Sequence, residues 1–239
     1  MPLPKISTPT YELELPSNGE TSKYRPFLVR EEKLLVLALE GEDTKEISNA
    51  IKTVIKNCII SKGVKVETLP TFDIEYLFLN IRGKSVGEKV DINIICPDDG
   101  ETTVPVSIDL EDIKVHKNKD HSNKIQVDES LIMEMKYPSL DQFIKNNFDF
   151  SGSTTMDQSF ELIASCINKI YNEEEVWAAS DVTKKELMEF LDQMNSSQFK
   201  KIEQFFETMP KLSHEVKVKN PKTDVESTVI LEGLSSFFA

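Results

Sequence analysis

The residues best placed for chemistry are Cys96-Pro97-Asp98-Asp99 and Asn220-Pro221-Lys222-Thr223. Each lies between two runs of alternating apolar residues, Ile92 and Ile94 before Cys96, Val216 and Val218 before Asn220. Strand, Cys-Pro-x-x, strand is the shape of a zinc-ribbon knuckle, in which two thiolates two residues apart grip one edge of a tetrahedral metal. Only Cys96 carries a thiol here, and Asn220 and Thr223 are poor zinc ligands, so the pair reads as degenerate zinc-ribbon-like hairpins without metal. Other candidates are weaker. His116 and His121 fall in a polar loop and His214 just before a strand, where histidines are mostly solvated. Cys58 and Cys166 sit on apolar helix faces, the usual place of a small core residue. Asp98-Asp99 could hold a cation, but adjacent acids are more often a hydrated turn, and Glu173-Glu174-Glu175 a hydrated helix end or loop. Neither G-x-G-x-x-G nor G-x-x-x-x-G-K-[ST] nor G-x-S-x-G occurs. These readings leave no catalytic residue, no metal site and no cofactor, and an enzyme becomes the weaker class.

The elements that must position these residues follow from periodicity. Prolines at 2, 4, 9 and 16 disfavour helix in the first stretch, and Tyr11-Glu-Leu-Glu-Leu15 alternates as a strand before a turn at Ser17–Glu20 and a second strand through Tyr24 to Phe27. Helices are expected over 30–40, with Leu34, Leu35, Leu37, Ala38 and Leu39 on a broad apolar face, over about 44–60, and from Thr71, where the apolar surface runs nearly all round. The period then changes to two for hairpins at 90–110 and 215–231 and a strand at 131–136. A polar stretch at 147–157 reads as a boundary, followed by helices at 156–171, 181–195 and 196–208. The fold class is α+β: helices with two small β-hairpins in antiparallel sheets. Three segments are expected: an extended arm over 1–29 with a hairpin, a mixed body over 30–147, and a helical part over 148–239 with the terminal hairpin and an aromatic tail.

Charge narrows the partners. With 28 Lys+Arg against 41 Asp+Glu the chain carries −13, spread over both halves, which repels phosphate backbones and anionic lipid; neither nucleic acid nor membrane is an expected partner. Three scattered cysteines give no disulfide framework, and no signal peptide can be drawn at the start, so a reducing cytoplasm is the expected compartment. What remains is surface for other proteins. Tyr11, Leu13, Leu15, Tyr24, Arg25, Pro26 and Phe27 in the arm, and Leu234, Phe237 and Phe238 in the tail, are the candidate partner-binding residues, since apolar groups near a chain end are readily exposed unless they fold back onto the core.

Thr8-Pro-Thr-Tyr-Glu-Leu-Glu-Leu15, Lys23-Tyr-Arg-Pro-Phe-Leu-Val-Arg-Glu-Glu-Lys33, Asp73-Ile-Glu-Tyr-Leu-Phe-Leu-Asn-Ile-Arg82 and the Cys96-Pro-Asp-Asp-Gly turn together resemble the baseplate hub assembly family of T-even-type, contractile-tailed bacteriophages. The resemblance covers roughly residues 1–145, and Leu231-Glu-Gly-Leu-Ser-Ser-Phe-Phe238 resembles the ends of related chains. It implies a chaperone-like, non-enzymatic assembly factor working in the host cytoplasm, whose partners are baseplate hub proteins and other hub assembly factors. The alternatives are a permanent minor structural subunit of the hub in the virion and, from another class, a metal-dependent enzyme using Cys96, Asp98, Asp99 and His116.

Overall fold

The computed structural model describes residues 6–41, 43–140, 142, 156–233 and 236. It is α+β, and the chain divides into two compact units. One takes residues through Val66, Phe72–His116 and Lys211 onward; the other takes Glu67–Thr71 and Lys117–Pro210. These units cut across the linear segments 1–29, 30–147 and 148–239. The terminal hairpin returns to pair with a strand at 114–116, a long-range pairing that alternation cannot announce.

In the first unit a short hairpin, β1 (Tyr11–Glu14) and β2 (Thr21–Tyr24), leads into helices α1 (Val29–Glu40) and α2 (Thr44–Cys58). Asp43 caps α2, its carboxylate accepting from the Lys45 and Glu46 N–H groups. Helix α3 (Thr71–Val86) buries Phe72, Ile74, Leu77, Phe78, Leu79 and Ile81, the all-round apolar helix its sequence demands. Strands β3 (Lys89–Ile95) and β4 (Thr103–Asp109) form one hairpin, and β5 (Lys114–His116) pairs with β10 (Lys211–Lys219), which pairs in turn with β11 (Glu226–Glu232). Leu79, Ile92, Ile94, Ile108, Val216 and Val218 join in one core, so α3 is flanked by both hairpins. Strand β10 starts four residues earlier than alternation suggests and includes His214, opposite Leu231.

The second unit carries a four-stranded antiparallel sheet in the order β6 (Lys124–Gln126), β7 (Ile132–Met135), β8 (Ile167–Tyr171), β9 (Val176–Ala178), with α4 (Met156–Cys166), α5 (Lys184–Asp192) and α6 (Ser196–Thr208). Thr183 and Asn195 cap α5 and α6 in full capping boxes with Glu186 and Gln198. The helix expected over 156–171 ends at Cys166. Ile167 and Ile170 stand three apart, a helical spacing, but pairing with β7 on one side, through a register shift at Glu134/Met135, and with β9 on the other makes the segment a strand. Glu173–Glu175 then belong to the β8–β9 turn, where the Asn172 carboxamide oxygen accepts from the Glu174 and Glu175 N–H groups. Most of the expected boundary at 147–157 lies outside the described residues.

Candidate interaction surface

The two knuckles repeat each other down to the backbone. The Gly100 N–H donates to the Cys96 carbonyl at 2.9 Å, and the Asp224 N–H donates to the Asn220 carbonyl at 2.9 Å. Gly100 and Asp224, four residues past the knuckle's first position, both have positive φ, +68° and +63°. The folded chain brings the knuckles together. Asn220, 1 % exposed, donates from its carboxamide nitrogen to both Asp98 carboxylate oxygens at 3.0 and 3.1 Å, and the Thr223 hydroxyl donates to Asp98. Asp99 accepts from the Thr102 N–H at 2.9 Å and the Thr102 hydroxyl at 2.6 Å. These bonds, Thr223 foremost for Asp98 and Thr102 for Asp99, favour the ionised carboxylates and hold both below the usual range. Burial and the two carboxylates raise the Cys96 thiol, which makes it a poor nucleophile. Hydrogen bonds thus join the two turns through Asp98, Asn220 and Thr223. Among the described residues no group of three or more His, Cys, Asp or Glu side chains is arranged to hold an ion.

His116 lies on β5, and His121 sits in the second unit's aromatic core, between Tyr137 and Phe205 at ring separations of 5.6 and 5.2 Å. The Thr208 hydroxyl donates to the Gln204 carbonyl at 2.7 Å, so its oxygen accepts from His121 Nδ1–H at 2.9 Å. Nε2 is buried with no hydrogen-bond partner among the described residues, which suits a neutral ring and leaves an added proton unsatisfied. Burial accordingly lowers the His121 pKa. Where the folded state binds fewer protons than the unfolded one, stability decreases as the pH is lowered. The thermal midpoint of the wild-type protein is therefore expected to drop between pH 7.5 and 5.5, and His121→Gln is expected to drop less over that window in the same calorimetric scan.

The arm residues fold back. Leu15, Tyr24 and Pro26 are buried, and Tyr11, Leu13 and Phe27 are half-buried, because Ser17 anchors the turn after β1 to the buried Asp73 and the Arg25 N–H reaches the Cys58 carbonyl. The expectation that this arm is a free contact surface is corrected for Leu15, Tyr24 and Pro26: they are core. Arg25 is committed elsewhere. Its guanidinium pairs with Glu31 at 3.1 Å and donates to the carbonyls of Asn57 at 3.0 Å and Pro26 at 2.8 Å. Leu234, Phe237 and Phe238 lie outside the described residues.

Arg25 and Glu31 point to what the sequence reading placed differently. Glu31 is 1 % exposed, and its carboxylate also accepts from the Arg30 side chain at 2.7 Å and from the Leu28 N–H at 2.8 Å. Burial alone would raise its pKa, but these donors and the Arg25 charge outweigh it and hold the group at about 2. This buried ion pair fixes the first turn of α1, and the helix turns Glu31, Ala38 and the half-buried Leu35 inward. The opposite side faces solvent, with Val29 66 % exposed, Val36 49 % and Leu37 66 %, while Leu39, 57 % exposed, lies on the helix flank away from Leu37. Leu37 and Leu39, assigned from sequence to a broad apolar face, are thus not core. A shallow hollow lies on that side between Glu32, Lys33, Val36 and Leu37. Val36 and Leu37 are the apolar part of that hollow, and an exposed apolar patch marks a contact site for another protein.

An α+β chain with joined hairpins and a rigidly held helix presenting apolar side chains is thereby defined. Over residues 8–239 it matches the family model described as T4 bacteriophage base plate protein, and the chain belongs to that family. Its role is a baseplate one, among other phage baseplate proteins. No curated protein and no solved structure matches the chain. No described helix is long and apolar enough to cross a membrane.

Proposed function

We propose that the chain is a non-enzymatic, chaperone-like assembly factor of the baseplate hub, acting by protein-protein contacts during contractile-tail morphogenesis in the host cytoplasm. Hub proteins and other hub assembly factors are its partners, and no cofactor takes part. The observation that carries this reading is the α1 surface, where Val29, Val36 and Leu37 stand in solvent on one side of a helix whose first turn holds a buried ion pair. A folded chain gains nothing by exposing three such side chains on one side of a short helix; a partner that covers them gains their burial, roughly 1.5–3 kcal/mol for each one fully removed from water. An assembly factor needs a surface of this kind, firm enough to orient a partner and apolar enough to hold it.

Replacing Val36 and Leu37 together by Asp tests the reading, because both are exposed and the fold does not depend on them. In cells infected with phage lacking the wild-type gene, the double variant is expected to reduce hub assembly roughly tenfold or more, the scale of losing an interface hot spot, with an unchanged far-ultraviolet circular dichroism spectrum. Normal hub assembly by that variant would remove α1 from the mechanism. Mass spectrometry of purified particles separates an assembly factor, absent or strongly substoichiometric, from a permanent hub subunit.

A further inference from the structure

We propose that the occupant of the exposed α1 face is a second copy of this chain, docked antiparallel so that Lys33 of each copy meets Glu40 of the other across a Val36/Leu37 centre. This rests on the reading of α1 as a protein contact surface and names its partner. At 3.6 residues per turn, Val29, Lys33, Val36, Leu37 and Glu40 fall on one stripe of the helix, opposite Glu31 and Ala38. Along it Val36 and Leu37 are flanked by Lys33 on one side and Glu40 on the other, with Val29 beyond Lys33 and Glu32 beside it at the edge of the hollow. Both Lys33 and Glu40 are exposed and neither has an ion-pair partner among the described residues.

Such a stripe is complementary to itself under a two-fold axis passing between Val36 and Leu37. The antiparallel copy sets Lys33 against Glu40 twice and Val36 against Leu37 twice; a parallel copy sets lysine against lysine and glutamate against glutamate. Like charges facing each other disfavour the wrong orientation as much as the opposite pairs favour the right one. Glu40 gives a second indication. A carboxylate in the last turn opposes the helix macrodipole, and α1 has no basic residue there to offset it. Its sign does not serve the isolated helix, whereas across an antiparallel neighbour it faces that neighbour's Lys33 and the two macrodipoles oppose. Isologous two-fold contacts are the commonest oligomer geometry. A three-turn helix of about 18 Å offers less than the roughly 800 Å² per partner of a standard interface, so the expected association is micromolar.

Sedimentation equilibrium of the full chain, over about 1–200 μM protein, gives the test. Wild type is expected to show a reversible monomer–dimer equilibrium. Lys33→Glu and Glu40→Lys are each expected to weaken it roughly tenfold, since each turns two opposite pairs into two like ones, and the double variant is expected to restore it. Leu37→Cys is expected to form a disulfide-linked dimer under mild oxidation, readable because Cys58, Cys96 and Cys166 are all buried. Far-ultraviolet circular dichroism confirms that these surface variants fold. A wild type that stays monomeric throughout overturns the proposal, whether α1 then cross-links to residues 234–239 of its own chain or to another baseplate protein. A double variant no stronger than the singles overturns it as well. Failure here is distinct from failure of the assembly reading: monomeric wild type with hub loss in the Val36/Leu37 double variant sinks only the dimer, and dimeric wild type with normal hubs in that variant sinks only the assembly role.

Discussion

Glu31→Ala is expected to destabilise the unit that carries α1 by about 3–5 kcal/mol, the range for breaking a buried ion pair from one side. The alanine leaves the Arg25 guanidinium, 13 % exposed, without its carboxylate, and removes the acceptor for the Leu28 N–H at the start of α1. Arg30 contributes little to the cost, since its side chain is 70 % exposed and water replaces its partner. Against a typical total of 5–15 kcal/mol this is a large share, and a thermal midpoint lower by roughly ten degrees follows for a chain of this size. The pH dependence runs the same way. A carboxylate held at about 2 against an ordinary value near 4.5 contributes stability that is complete above pH 5 and lost as pH falls through the interval to 2. Urea midpoints at pH 6 and pH 3 should therefore differ more for wild type than for Glu31→Gln. If Glu31→Ala melted with wild type at pH 6, the ion pair would not hold α1, and the rigidity claimed for its exposed face would fall with it.

That ion pair also shows where reading the sequence succeeds and where it stops. Tyr24-Arg-Pro-Phe and Arg30-Glu-Glu stand out by type, and their resemblance to a phage baseplate family agrees with the family match over residues 8–239. Nothing in the spacing says that Arg25 leaves the arm to neutralise Glu31, because a charge pair six residues apart across a proline follows neither helical nor strand periodicity. Apolar content misleads at α1 for the opposite reason. Six consecutive apolar residues, Leu34 to Leu39, spread around the helix, so composition suggests a core helix while only Ala38 among them is fully buried. The hairpins were legible because alternation and turn residues are local. Their meeting, Asp98 against Asn220 and Thr223, rests on 122 and 125 residues of intervening chain and was visible only as similarity between two distant turns. Residues 167–171 read as helix because Ile167 and Ile170 stand three apart; a register shift against Glu134/Met135 breaks the strand's alternation, and neighbouring strands make the choice.

Phe205→Ala is expected to cost the second unit about 3–5 kcal/mol. Phe205 is 2 % exposed on α6 and touches three rings, stacked on Tyr137 at 5.7 Å, tilted to His121 at 5.2 Å and edge-on to Phe206 at 5.1 Å. Truncation removes the transfer energy of the ring and leaves a cavity lined by rings that the sheet holds in place. Tyr137 and His121 come from the chain on either side of β6 and β7, and Tyr137 packs on the same core cluster as Phe205, Met133 and Met135, which limits how far it can follow the missing group. The protein's single tryptophan, Trp177, lies on β9 of the same unit, and its fluorescence reports that unit's unfolding directly. A lower urea midpoint for Phe205→Ala with an unchanged slope is the expected result. Phe205→Leu, which refills most of the volume without restoring the ring contacts, should recover more than half of the loss; recovery by Leu as poor as by Ala would mean that the aromatic stack, rather than the filled volume, holds α6 to the sheet.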